Sequence, residues 1–452
     1  MARSRQAFLR QLYAEHLEEA SFLYLQRLNL LTDNELSWVE IQDFETRLYA
    51  HLDALVIGGQ PVLDRFADYP AADAGEVFAV CAVYGLSDDL SGFMFVLAAL
   101  DLSDNDTCRA MTDALNMHAP AAWVKDLARL PFADKPAYLK VLMPFFYRQR
   151  LSMGKPALSM ANNLLKEAPM MVPVFGHADL TNQPAILESV LEYVDSNDVL
   201  LRNQAAIVML KQHQHGPLKQ RLGAMPAETV TWQAMAVAMD VGLYQFLEQK
   251  SPDQLSDDAI RAFGLIGLPE AIPRLVRLLS NDEKAAAAAD ALFSITGAPL
   301  YEDVFIADEV TEEELFPEEV DAFKRGESPM HVDQRPFGTN TRRISQDADL
   351  WLQWLTQFKQ HFVLGKRHRM GALISPSQLV AVLQHEQSPH EIRRFTAWEL
   401  ECRYQSDVLF SVADTVHIQQ QQIRKLDQWA NLYEHEAGLD AGCWHIHQEA
   451  VA

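Results

Sequence analysis

DDAIRAFGLIGLPEAIPRLVRLLSNDEKAAAAADALFSITG, residues Asp257–Gly297, is the stretch that decides the fold class. It scans as the end of one helix, a tight Gly267-Leu268-Pro269 turn, a second helix, a short Ser280-Asn281-Asp282 break and a third helix closed by Gly297. Ala271, Leu275 and Leu278 fall at helical spacing and give the middle helix one apolar stripe. Pro273 stands near its start, where the missing amide removes one intrahelical hydrogen bond and bends the axis. Ser280 and Glu283 have the S-x-x-E spacing of a capping box, which predicts two satisfied amides at the next helix start. Ala285 to Ala289 with Ala291 keep that helix narrow, so a neighbour approaches closely, and Gly297 and Pro299 supply a C-cap and a stop.

A helix–turn–helix unit of this kind cannot bury its apolar face alone, so it predicts a stack of such units. The pattern resembles a HEAT repeat, particularly the compact HEAT-like type found in bilin lyases and many bacterial scaffolds. The expected fold is therefore all-α: an α-solenoid (α-α superhelix) of HEAT-like helix pairs with helical caps at both ends. Shifting the chain by 84 residues lays Ser196-Asn197-Asp198 on Ser280-Asn281-Asp282, and Leu187, Leu191 and Val194 on Ala271, Leu275 and Leu278. That offset is two units of about 40 residues each, the length expected of this repeat. The unit between them takes in Trp232–Met239 and Leu243–Leu247 and is inferred from spacing only.

The chain of 452 residues then divides into an N-terminal helical cap (1–60), a repeat region (61–300), an acidic loop or linker (301–345) and a C-terminal helical region (346–452). In the cap, Leu9, Leu12, Tyr13, His16, Ala20, Leu23 and Arg27 line one helix edge, and Ile41, Phe44, Leu48, Leu52 and Leu55 line a second helix ending at Gly58-Gly59. Residues 301–328 hold 11 acids against Lys324 and Arg325, and so contribute −9 of the net charge of −24. The acids include Glu312, Glu313, Glu314, Glu318 and Glu319, which read as a solvated loop or, functionally, as a docking strip for a basic partner segment. Further on, Trp351, Trp354, Leu355, Phe358 and Phe362 form an aromatic stripe expected to be core. Ser375-Pro376 with Gln378, and Ser388-Pro389 with Glu391, each read as a helix start.

Hydrophobic residues make up 49 % of the chain, enough for a continuous core. The charge of −24 argues against phosphate-mediated nucleic-acid binding and against an anionic membrane surface. Cys81, Cys108, Cys402 and Cys443 are widely spaced, as expected of reduced thiols in a cytoplasmic protein. The first residues, MARSRQAFLRQLYAEHLEEA, show no apolar signal core, and the most apolar stretch, Val77–Leu100, is interrupted by Ser87-Asp88-Asp89.

HLEEASFLYLQR (His16–Arg27) and RLYAHLDALVIGG (Arg47–Gly59) resemble the opening motifs of an uncharacterised bacterial family of HEAT-repeat proteins. Trp351 and Trp354, GKRHRMGALISPSQLVAVL (Gly365–Leu383) and the Arg393–Arg403 helix extend the likeness, whereas Gln60–Pro184 and the acidic segment match poorly. Members are often encoded beside type VI secretion components. The resemblance thus implies a protein partner, a secretion effector or spike component, and it brings no catalytic residues.

No nucleophile elbow, phosphate loop, dinucleotide fingerprint or H-E-x-x-H motif occurs. His385-Glu386 and His390 have the wrong spacing for the last, with Pro389 between. Cys443, His445 and His447 with His435, and His213 with His215, carry metal-ligand chemistry at uncompelling spacing. The basic Lys366-Arg367-His368-Arg369 cluster is expected to pair within the molecule. The chain is therefore expected to be a non-catalytic scaffold or adaptor with no cofactor, metal, nucleic-acid or membrane partner. A HEAT-like lyase-type enzyme or small-ligand binder is the alternative, and an immunity protein a further one. A deep pocket of convergent polar groups favours the ligand binder, and an open groove favours the scaffold.

Overall fold

A computed structural model describes residues 2–33, 36–59, 61–62, 66, 73–130, 132, 134–151, 172, 175–176, 184–224, 231–307, 320, 323–325, 330, 335–446 and 449–450. Among these the protein is mostly helical, with nineteen α-helices and few short strands. The first half contains α1 (Ala2–Leu30), α2 (Ile41–Gly58), α3 (Ala74–Leu86), α4 (Leu90–Ala99), α5 (Asn105–His118), α6 (Trp123–Leu127) and α7 (Tyr138–Arg148). Then come α8 (Pro184–Tyr193), α9 (Val199–Lys211), α10 (His215–Arg221), α11 (Thr231–Ala238), α12 (Gly242–Glu248), α13 (Asp257–Ile266), α14 (Ile272–Leu278) and α15 (Ala285–Thr296). Strands β1 (Tyr301–Ala307) and β2 (Gly338–Ile344) pair antiparallel, Tyr301 opposite Ile344. The rest comprises α16 (Ala348–Phe358), the short ribbon β3 (His368–Arg369) with β4 (Ala372–Leu373), α17 (Pro376–Gln384), α18 (His390–Tyr404), α19 (Val416–Ala437), and a last ribbon of β5 (His445–Ile446) with β6 (Glu449–Ala450).

The deciding stretch folds largely as read. Gly267 (φ 81°) and Gly297 (φ 61°) take the left-handed conformation that closes α13 and α15. Pro273 stands in the first turn of α14, and Ala271, Leu275 and Leu278 are buried. The Ser280–Glu283 capping box does not form. The Asn281 side chain instead accepts from the Glu283 amide (3.1 Å), a turn carries the chain through Lys284, and α15 begins only at Ala285. Helices α9, α11, α13 and α15 pack in succession, each on the next of that set, and α14 packs on α15.

Two expectations are corrected. The fold is not all-α, because both ends of the 301–345 window enter a β-ribbon. Nor is a solenoid detected among the described residues, and the ends of the chain show a physical reason. Leu31, Trp38 and Ile41 share one buried cluster with Leu379, Leu400 and Leu426, so the N-terminal pair and the C-terminal region touch. The Arg27–Glu45 ion pair (2.7 Å), buried between α1 and α2, strengthens that closure: Glu45 also accepts from the Val416 amide (2.8 Å) and Arg27 donates to the Asp414 carbonyl (2.8 Å). Segments expected to cap opposite ends of an open stack are stapled to each other instead.

Candidate functional site

The helices of the deciding stretch meet the C-terminal region along two very different borders. On one, the segment 367–371 crosses the C-terminal ends of α13 and α15. Arg367 donates to the Ile266 carbonyl (2.8 Å) and Arg369 to the Leu265 carbonyl (2.6 Å). The His368 amide donates to Gly267 O (2.7 Å), and the amides of Met370 and Gly371 donate to Ser294 O (2.8 Å) and Ile295 O (2.9 Å). Arg403, on α18, donates to the carbonyls of Ala236 and Met239 at the end of α11. Carbonyls left over at helix C-termini, and the negative ends of the helix dipoles, are thereby met by donors and cations. Gly267 is required here because a Cβ would collide with the His368 carbonyl.

All three guanidinium groups are fully buried and converge on one carboxylate, Glu399, at 2.7 Å (Arg367), 3.0 Å (Arg369) and 3.2 Å (Arg403). Burial pushes the Glu399 carboxyl up, yet the charges of Arg367, Arg369 and Arg403 outweigh it and hold it below the ordinary range. Burial, and then Arg367, pull Arg403 down to about 10. Trp444 lies against this cluster, its ring 4.4 Å from the Arg367 guanidinium and 5.0 Å from that of Arg403. The basic cluster thus pairs within the molecule, as its sequence predicts, and joins the C-terminal region to the end of α13, while Arg403 reaches the end of α11 and the Met370 and Gly371 amides that of α15.

The other border is apolar and open. Between α14 and α16 lies a groove of about 540 Å³, with Ile272 and Val276 on one wall and Leu352, Leu355, Phe362 and Leu364 on the other. Leu364 is 71 % exposed and Leu352 52 %, so apolar surface stands in water at a concave site. Arg277 and Lys359 lie along the groove together with Asp349. The aromatic stripe of α16 divides here. Trp351 is fully buried and donates to the Ser345 carbonyl (2.7 Å), Leu355 is buried, and Trp354 stacks on Phe358 (4.6 Å), which is exposed. Trp351 and Leu355 are core as expected, Trp354 and Phe362 pack half-buried against it, and only Phe358 of the stripe is exposed.

A second cavity, of about 430 Å³, opens between the α1–α2 connection, α15, the β1–β2 ribbon and the start of α18. Arg342 lies over the Tyr301 ring (4.7 Å) and Arg393 over Trp38 (4.0 Å), and His390, Asp290 and Glu40 also face it. Burial lowers the pKa of His390.

Glu312, Glu313, Glu314, Glu318 and Glu319, the predicted docking strip, lie outside the described residues. Cys443 contacts Lys366 (3.0 Å) and Asp440 (3.2 Å), the His445 ring bonds the Asp440 carbonyl (2.9 Å), and His447 lies outside the described residues. His213 and His215 stand with ring centroids 6.1 Å apart. The described residues include no group of three or more His, Cys, Asp or Glu placed to hold a metal, and no helix long and apolar enough to cross a membrane. Ser375 caps α17 by accepting from the Gln378 amide (3.2 Å) as read, whereas α18 has Pro389 at its cap and no side-chain cap from Ser388. The groove was missed in the sequence. Its signal is the off-stripe apolar residues Leu352 and Leu364.

No family model matches the chain, and no curated protein or solved structure is found similar to it.

Proposed function

We propose that the protein is a non-catalytic, cytoplasmic scaffold of HEAT-like helix pairs that grips an amphipathic helix of a protein partner in the α14–α16 groove. The carrying observation is the concave apolar surface with Leu352 and Leu364 exposed to water. A short helix presenting an apolar face is the chemistry such a groove accepts. Neither Arg277 nor Lys359, both on the groove, enters an ion pair among the described residues, so the partner helix carries acidic residues beside its apolar face. This reverses the charge expected from the whole-chain balance. The field of −24 governs long-range encounter, while the groove's own cations govern register. The succession α9, α11, α13 and α15 supports reading the middle of the chain as helix pairs. The resemblance at both ends supports a secretion effector or spike component as partner.

The test is a photo-crosslinking amino acid at Leu352 in the full chain, expressed in a host carrying neighbouring secretion genes. A single partner segment captured there, acidic and amphipathic, and lost when Val276 becomes Asp, is expected. Equal capture from a crosslinker at exposed Leu432 on α19 overturns the assignment. A second reading, a small-ligand binder, is favoured by the mixed-charge cavity around Arg342 and Tyr301. A small molecule co-purifying at one per chain and lost with Arg342→Ala decides for it.

A further inference from the structure

Independently of any protein partner, we infer that His16 and His51 form an open, two-imidazole site for a late first-row divalent cation such as Zn²⁺ between α1 and α2. The antiparallel packing of these helices, fixed by buried Leu17, Ala20, Leu48 and Leu52, brings the two histidines side by side across the α1–α2 seam. Their Nδ1 atoms are 3.1 Å apart and their rings meet edge-on, with centroids 5.1 Å apart.

With ligand bonds of about 2.0–2.1 Å, two nitrogens at that separation subtend roughly 100° at a shared metal, a bite that zinc and its neighbours accept. In the metal-free pair one Nδ1 donates to the other. Binding needs both lone pairs, so the proton on that Nδ1 moves through solvent to the Nε2 of the same ring. Both rings are part-exposed, which permits this and leaves the remaining coordination positions to water.

The charged groups facing His51 are opposed. Burial first, then His16 and Arg47, favour its neutral, ligating form, while the Glu19 carboxylate pulls the other way. Glu19 lies one helical turn beyond His16, where its charge also attracts a cation. No third protein ligand completes the set among the described residues, so the site is open and exchangeable, not a closed structural one.

The test uses the full chain, stripped with a chelator and titrated with Zn²⁺. At pH 7.5 the melting temperature should rise by roughly 3–5 °C at saturating metal, because a ligand of the folded state alone stabilises it. The rise should vanish in His16→Gln and in His51→Gln separately. Should a variant fold poorly, Cu²⁺ bound to the parent gives an independent readout: an electron paramagnetic resonance spectrum split by two equivalent imidazole nitrogens. No thermal shift at millimolar Zn²⁺, a shift retained in both variants, or a copper spectrum without two-nitrogen splitting each overturns the site.

Discussion

The two borders between the deciding helices and the C-terminal region use opposite physics within one small part of the molecule. At the first, Arg367, Arg369 and Arg403 are buried and meet Glu399 and the ends of α11 and α13. At the second, α14 and α16 touch but leave apolar side chains in water. The first border is specific because each buried donor and charge must find its partner or cost several kcal/mol. The second is permissive, since apolar contact is non-directional and a foreign helix satisfies it as well as a native one. A fixed joint beside an unfilled groove holds the groove's two walls at a set spacing.

The largest effect should come from breaking the joint. Glu399→Gln leaves three buried guanidinium groups without their carboxylate, and the expected loss is about 3–5 kcal/mol. Chemical denaturation should show a lower midpoint with an unchanged slope, or no soluble protein at all. A parent-like melt would mean that the helix carbonyls alone compensate the three charges and that the joint is not electrostatic.

Glu401 sharpens the same point, because it stands two residues from Glu399 on α18 yet enters no ion pair among the described residues. Burial alone pushes its pKa up to about 7, whereas the arginines hold Glu399 low. The folded-state pKa of Glu401 is raised above its unfolded value. Its contribution to stability is therefore complete below about pH 4.5 and is lost as pH rises through about 7. Because the side chain retains some exposure, the swing should be about 1–2 kcal/mol, less than full burial implies. Melts of the parent and Glu401→Gln from pH 5 to 8 should diverge by that much. Parallel curves would place an unseen cation beside Glu401.

What could be read from the sequence followed how local each cause was. Gly267, Gly297, Ser375 and the Leu275 stripe act within one or two helical turns, and the structure places them as expected. Ser280–Glu283 failed because the Asn281 side chain, one residue on, accepts from the Glu283 amide, while the Ser280 amide donates to the Arg277 carbonyl. The β1–β2 ribbon was hidden because acidic composition marked the whole 301–345 window as loop, although YEDVFIA carries Tyr301, Val304, Phe305 and Ile306 at strand-like density. Closure of the chain ends through Arg27, Glu45 and Val416 joins residues more than 350 positions apart, and no pattern within a window reports that. The basic cluster was assigned an internal role from charge balance alone. Its partner, Glu399, depended on tertiary packing.

The smallest stability effect, and the most telling functional one, belongs to the groove. Leu352 is half exposed, so replacing it with Asp buries no new charge and removes little native contact. The change in stability should stay within about 0.5 kcal/mol, as for other surface sites. If the groove is a docking surface, the same substitution puts a carboxylate where the partner's apolar face must lie. Capture of that partner should then fall at least about tenfold, a desolvation cost of only ~1.4 kcal/mol at the interface. Arg277→Glu should weaken binding less and chiefly by slowing association, since it acts on steering more than on burial. Equal melting with lost binding separates the permissive border from the joint beside it. A Leu352→Asp variant that loses stability as Glu399→Gln does would show instead that α16 is core on both faces.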